Sequence, residues 1–330
     1  MDTLSLVTGA TGFLGSAVAR ALLERGHRVR VLARPGGDRR NLADLPLEVS
    51  EGSLEEASSL RRAVDGCRYV FHVAADYRLW VRDRQAMLRA NVDGTRLLMQ
   101  AALAAGVERV IYTSSVAVLG HATGQVADEN TLSTLADMVG PYKQSKFLAE
   151  AEVRRMAAEQ GLPVVIVNPS TPIGPRDIKP TPTGRIIVEA AAGRIPAYVD
   201  TGLNIVHVDD VAAGHLLALD RGRVGERYIL GGDNMSLADI LRHIAGQTGR
   251  RPPLIGLPRL PLFPVALAAE MAARLTGREP LITIDGLRMA RWRMWFSSAK
   301  AETELGYRHR PAGLALDDAV DWFRTAGYGQ

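Results

Sequence analysis

Thr8-Gly9-Ala10-Thr11-Gly12-Phe13-Leu14-Gly15 constrains the fold of this chain more than any other stretch. It follows the strand-like run Leu4–Thr8 and opens an amphipathic helical pattern that closes near Gly26, with Phe13, Leu14, Val18, Ala21 and Leu22 apolar. A second strand pattern then runs from Arg28 to Ala33. Glycines at such a junction permit a tight turn and close approach of a ligand to the backbone. The helix start behind them presents free N–H groups, which suit a pyrophosphate. A bare glycine motif is weak evidence; the strand–turn–helix–strand context turns it into a dinucleotide site. Gly9, Thr11, Gly12, Phe13, Leu14 and Gly15 are therefore expected to hold a cofactor.

The end of the second strand normally distinguishes the two nicotinamide cofactors. An acid there holds the ribose hydroxyls of NAD, whereas an arginine accommodates the 2′-phosphate of NADP. This chain reads Val31-Leu32-Ala33-Arg34 with no acid, and Arg39 and Arg40 follow. A guanidinium binds two phosphate oxygens at once. NADP(H) is the favoured cofactor, with Arg34 selecting it, and NAD(H) is the alternative. The plainer account of these arginines is solvated surface charge.

Strand-like runs recur at 47–50, 69–73, 109–113 and 163–168, with helical stretches between them, notably 82–105 and 142–160. Such alternation implies an α/β fold of Rossmann type, a doubly wound parallel sheet covered on both faces. Residues 1–168 are expected to form this nucleotide-binding domain. Residues 169–330 are expected to form mainly a smaller substrate-binding part, interleaved with the last sheet strands. Ligands of such sheets bind beyond the carboxyl ends of the strands. Ser115, just past the end of the 109–113 strand, is thus expected to face the same crevice as the glycine turn.

Tyr142-Lys143-Gln144-Ser145-Lys146 carries the chemical signal. Spacing of i and i+4 puts Tyr142 and Lys146 on one helix face. A phenol, with a pKa of about 10, is a poor acid–base group at neutral pH. A neighbouring ammonium favours the phenolate and brings it towards working pH. Lysine occurs only at Lys143, Lys146, Lys179 and Lys300, so two in five residues stand out from an arginine-rich background. A chance pair on an exposed helix is the plain alternative.

Taken together, the Thr8–Gly15 turn, Thr113-Ser114-Ser115, and Tyr142 with Lys146 resemble the extended short-chain dehydrogenase/reductase family over essentially the whole chain. Asn91-Val92-Asp93-Gly94-Thr95 and His207-Val208-Asp209-Asp210 match recurring segments of that family. The runs Asn168-Pro-Ser-Thr-Pro-Ile-Gly-Pro175-Arg-Asp and Met294-Trp-Phe-Ser-Ser-Ala-Lys300 are similar to the hopanoid-associated sugar epimerase subgroup, within the dihydroflavonol-reductase-like branch. The resemblance implies that Tyr142 exchanges a proton with substrate and that Lys146 lowers its pKa and binds the nicotinamide ribose. Ser115 would donate to the reacting oxygen. Position matching places Ser53 and Leu54 at the adenine, Val73-Ala74-Ala75 beneath the ribose and phosphates, and Pro169 and Thr171 beside the nicotinamide. Thr113, Tyr142 and Lys146 complete the cofactor set. Ser53 stands where the family often has an acid. A homodimer through 82–105 and 142–160 is implied as well.

The motif serves both carbonyl reduction and sugar epimerisation. NAD usually serves epimerisation, so Arg34 favours net reduction. Nucleotide-sugar epimerases often place an arginine four residues before the HVDD-like segment to meet the diphosphate, and here that residue is Leu203. Arg176, Lys179 and Arg185 are possible substitutes. An NADPH-linked oxidoreductase of a secondary alcohol or ketone, on the sugar-like side chain of a hopanoid, is the leading expectation. An NAD-dependent sugar epimerase is second, and a non-catalytic dinucleotide sensor is the reading from another class. Tyr77, Trp80, Ser115 and Thr171 are the expected substrate contacts, and no metal site is expected.

The net charge of +4 is spread over isolated arginine pairs, which disfavours nucleic acid as a partner. Cys67 is the only cysteine, so no intrachain disulfide forms, in keeping with a cytoplasmic setting. No apolar run reaches the length of a membrane span. The helix expected at 265–275, near Trp292, Trp295 and Phe296, reads most simply as a packed helix. Lining an apolar pocket, or a peripheral contact with the inner face of a membrane, are its alternatives.

Overall fold

The computed structural model describes residues 3–81, 83–120, 126–276, 280 and 282–329. Its main sheet uses β1 (Leu4–Thr8), β2 (Arg28–Ala33), β3 (Leu47–Glu51), β4 (Tyr69–His72), β5 (Arg109–Thr113) and β6 (Val164–Pro169). Beyond these come β7 (Thr171–Ile173), β8 (Ala197–Val199), β9 (Gly202–His207) and β10 (Arg227–Leu230). The last is the seventh strand of the main sheet, whose order is β10-β6-β5-β4-β1-β2-β3, all parallel. The direction of winding reverses between β1 and β4. That is the crevice in which an open α/β sheet receives its ligand.

Alternation along each strand feeds two cores. Val7, Val31, Ile111 and Val167 point to one face, where α1 (Phe13–Glu24) supplies Val18 and Leu22. Leu6, Val70, Val110 and Ile166 point to the other. There they meet α2 (Ala57–Val64), α4 (Gly94–Ala104) and α5 (Gly140–Gln160). A fully buried Leu or Val contributes about 1.5–3 kcal/mol, so strands buried on both faces read as continuous apolar runs.

The helix expected over 82–105 forms from Arg84 to Ala104 with a π-helical segment inside it. Arg82 lies outside the described residues, and α3 (Arg84–Leu88) passes into a π-helical segment, Arg89–Asp93, before α4. The widened turn lets Asn91 face inward, where its amide exchanges hydrogen bonds with the backbone of Asp76.

Residues beyond 169 also build a second layer. Strand β9 pairs with β7, with β11 (Asp233–Ser236) and with β13 (Arg293–Met294), while β12 (Ile255–Leu257) pairs with β8. Over β9 lie α6 (Pro182–Ala191), α8 (Leu237–Thr248) and α12 (Ala312–Thr325) around Ile187, Ile240, Leu316 and Phe323. Helices α7 (Val208–Arg221) and α11 (Ala299–Leu305) return to the main sheet. Helices α9 (Phe263–Thr276) and α10 (Ile284–Met289) sit at the periphery.

Candidate active site

The glycine turn is shaped by close backbone contacts. Gly9 has φ +77°, and a Cβ there would meet the Ala74 backbone at 2.7 Å. A Cβ on Gly15 would lie 2.2 Å from the Gly9 carbonyl oxygen, so only glycine lets α1 start so near the turn. Gly12 caps α1 with no side-chain bond to its first-turn N–H groups, and that turn has no acid. These groups and the positive helix end fit a dinucleotide pyrophosphate. Ala74, across the crevice, donates its N–H to Thr8 Oγ1 at 3.3 Å. Thr11, Phe13, Leu14, Val73 and Ala75 follow from these two strand ends.

Arg34 is exposed just past β2, beside the crevice. Arg39 pairs with Glu51 and Arg40 with Asp38 at 2.8 Å, so of the three expected arginines these two are engaged within the protein. Ser53 uses its Oγ to accept from Glu55 N at 3.2 Å, which stabilises the turn after β3. Leu54 packs beside Gly94. Asn41, which the sequence did not single out, closes this loop. Its amide donates to the carbonyls of Thr11 at 3.3 Å and Arg176 at 3.2 Å. Arg176 itself has φ +75° and pairs with Asp209.

Ser115, Tyr142 and Lys146 converge from β5 and α5. The Ser115 hydroxyl lies close enough to the Tyr142 phenol to act on it, and its Oγ accepts from Ala117 N at 3.1 Å, so it caps a short turn. Burial pushes the Tyr142 phenol up from 10, and the Ser115 hydroxyl pulls it back. The expected lowering by Lys146 is not found. The Lys146 ammonium donates to Thr113 O at 2.7 Å and to Tyr112 Oη at 3.4 Å, and it lies 4.9 Å from the Tyr112 ring centre. Burial brings Lys146 down to about 8, with Glu150 opposing that drop. Lys143 is also brought to about 8 by burial.

A buried polar chain ties this group to the glycine turn. Thr8 Oγ1 bonds His72 Nδ1 at 2.8 Å, and His72 Nε2 bonds Thr95 Oγ1 at 2.9 Å. Thr95 donates to Asn91 O, Asn91 Nδ2 donates to Ser145 Oγ at 2.9 Å, and Ser145 donates to Tyr142 O at 2.8 Å. Burial drives His72 down to about 3, with Lys146 adding to the effect, so the ring is neutral. On the other side Asn168 Nδ2 donates to Ser115 O at 3.0 Å and to Glu150 Oε2 at 2.9 Å. Glu150 in turn pairs with Arg227 at 3.1 Å.

The substrate side is less complete. Pro169 ends β6 and Thr171 opens β7, both next to the Ser115 strand end. Tyr77 is exposed and Trp80 half-buried on the segment after β4. Tyr77 lies in the field of Asp177 and Arg185. Burial raises the Asp177 carboxyl to about 6; one of its oxygens accepts from Thr181 N and Oγ1, both at 2.8 Å, and the other has no partner. Leu203 is half-buried in β9. Arg176 is committed to Asp209, and Lys179 stands 4.0 Å from Asp38. Among the described residues no cluster of His, Cys, Asp or Glu could hold a metal ion.

Sheet order, glycine turn and the Ser115–Tyr142–Lys146 group define the class: an extended short-chain dehydrogenase/reductase, an enzyme on a Rossmann-type fold. The model of the NAD dependent epimerase/dehydratase family matches residues 5–231, and the chain belongs to that family. A dihydroflavonol 4-reductase-like protein of Synechocystis sp. is 47% identical over 98% of this chain and 95% of its own length. Sterol demethylase protein B of Methylococcus capsulatus is 35% identical over 98% of this chain and 99% of its own. Among solved structures, gox2253 superposes with a TM-score of 0.89 at 55% identity over 99% of both chains. A nucleoside-diphosphate-sugar epimerase, PA4631 from Pseudomonas aeruginosa, superposes at 0.82 with 30% identity over the whole of both. Among the described residues no helix is long and apolar enough to cross a membrane.

Proposed function

We propose that this protein is an NADP(H)-linked oxidoreductase that interconverts a ketone and a secondary alcohol on a polycyclic lipid, the sugar-like side chain of a hopanoid being the leading candidate. The convergence of Ser115, Tyr142 and the buried Lys146 at the end of β5, next to the crevice, carries the reading. A nicotinamide dinucleotide, when bound, supplies or accepts the hydride. Tyr142 gives its proton to the substrate oxygen or takes it back, and Ser115 steadies charge on that oxygen. Lys146, titrating near 8, keeps a positive charge one helical turn beyond the phenol at neutral pH. Residues 169–330 supply most of the substrate wall, with Tyr77, Trp80 and Thr171 in contact and Asp177 and Arg185 behind Tyr77.

Arg34 supports NADP(H), since it follows β2 at a strand end that carries no acid, and an arginine there suits a 2′-phosphate. The sterol-related name of one relative supports a polycyclic substrate. The likeness to a nucleoside-diphosphate-sugar epimerase supports a second reading, NAD-dependent epimerisation. Leu203 weighs against it, because a buried diphosphate needs charged partners. A homodimer through α3–α4 and α5 belongs to the same proposal.

Titrating NADPH and NADH against the protein and its Arg34→Ala variant tests the cofactor. Tighter NADPH binding, weakened about tenfold by the substitution, is expected; a preference for NADH overturns it. Tyr142→Phe should abolish turnover and spare cofactor binding, and retained turnover rejects the mechanism.

A further inference from the structure

One stretch of the second half is built inside out. Among the described residues 15 large hydrophobic side chains are exposed, and 8 of them fall within residues 254–275. Leu254 is 86%, Leu260 72% and Leu275 88% exposed. In α9 only Ala266 and Ala273 are buried, whereas Leu267, Met271 and Leu275, at i, i+4 and i+8, form an outward stripe. A globular helix normally turns its large apolar residues inward. An apolar surface of this kind marks an interaction site.

Its charge is one-sided. Arg250, Arg251, Arg259 and Arg274 border or interrupt the stretch. The one acid in 254–275, Glu270, turns to the protein and accepts from Ile284 N at 2.8 Å. Apolar side chains set among arginines complement an anionic lipid surface. A second copy on a two-fold axis would instead bring one arginine-bordered surface against another of the same charge.

The surface adjoins the site. Glu270 fastens α9 to the start of α10, and Asp285 of α10 lies beside Gly140, where a Cβ would be 3.0 Å from its Oδ2. Gly140 opens the helix that carries Tyr142 two residues later. We propose that residues 254–275 seat the enzyme on an anionic bilayer, so that a lipid substrate reaches Ser115 and Tyr142 from the membrane. This rests on the lipid-substrate reading above.

Sedimentation of the full chain with phosphatidylcholine vesicles, with and without phosphatidylglycerol, tests it. Binding should be at least about tenfold stronger to the anionic vesicles. Leu267→Ser/Met271→Ser/Leu275→Ser should lose at least about tenfold of it. Arg251→Glu/Arg259→Glu should remove the lipid preference, each arginine being worth about fivefold, and serves where the apolar variant does not fold. Both variants should retain turnover of a short water-soluble ketone; loss of turnover in the parent assay would instead reject the activity. Absence of binding to anionic vesicles, or binding unchanged in both variants, overturns the seat. So does a fall in molar mass of the apolar variant in light scattering, which would assign the stripe to a second copy of this chain.

Discussion

The cofactor edge of the sheet and the α9 periphery use apolar residues in opposite ways. Every residue of β1 is buried, and Val18 and Leu22 of α1 are fully enclosed. In α9 the enclosed residues are alanines and the large side chains face outward. The first arrangement makes a rigid ledge on which backbone N–H groups stay in place. The second buries only alanines and contributes little to the fold.

The contrast can be broken by substitution. Glu150→Ala leaves the Arg227 charge without its buried partner and releases Asn168, and should cost about 3–5 kcal/mol in urea unfolding. Leu22→Ala should cost about 3 kcal/mol by the same measurement, against less than about 0.5 kcal/mol for Leu275→Ala. Comparable losses at the two leucines would refute the distinction. Ser115→Ala should lower kcat about a hundredfold, the worth of one donor to a developing oxyanion, with the fold intact.

The ledge also responds to pH. His72 is neutral in the fold down to about 3, whereas the unfolded ring takes a proton below about 6.5. Stability is therefore complete above 6.5 and is lost as the pH falls towards 3, by up to about 1.4 kcal/mol per unit. His72→Asn should flatten that part of the curve in denaturant titrations, and an unchanged slope would place the acid sensitivity elsewhere.

Backbone-dictated features were legible in the sequence. The glycine turn and strands β1, β2 and β5 lie where residue types require them, because strands buried on both faces and glycine-only positions leave local signatures. Contacts distant along the chain were not. The joining of Thr8, His72, Thr95, Asn91 and Ser145 spans separations that no periodicity encodes, and the π-helical turn inside the 82–105 helix, which lets Asn91 face inward, serves that network. The i,i+4 spacing placed Lys146 on the face of Tyr142 but could not show that the Thr113 carbonyl holds its ammonium. Nor could apolar content at 265–275 separate a packed helix from an exposed one. The burial pattern departs from the simpler expectation because alanines fill the inward positions.

Asn41 carries a consequence for redesign. By bonding both the Thr11 and Arg176 carbonyls it pins the loop behind Arg34 to the glycine turn and to the turn after β7 at once. An attempt to switch cofactor choice by transplanting the whole 34–41 loop from another protein would cut two anchors besides replacing Arg34. Point replacement at position 34 leaves the scaffold whole, so coenzyme preference here should be easier to reprogram one residue at a time than by segment exchange.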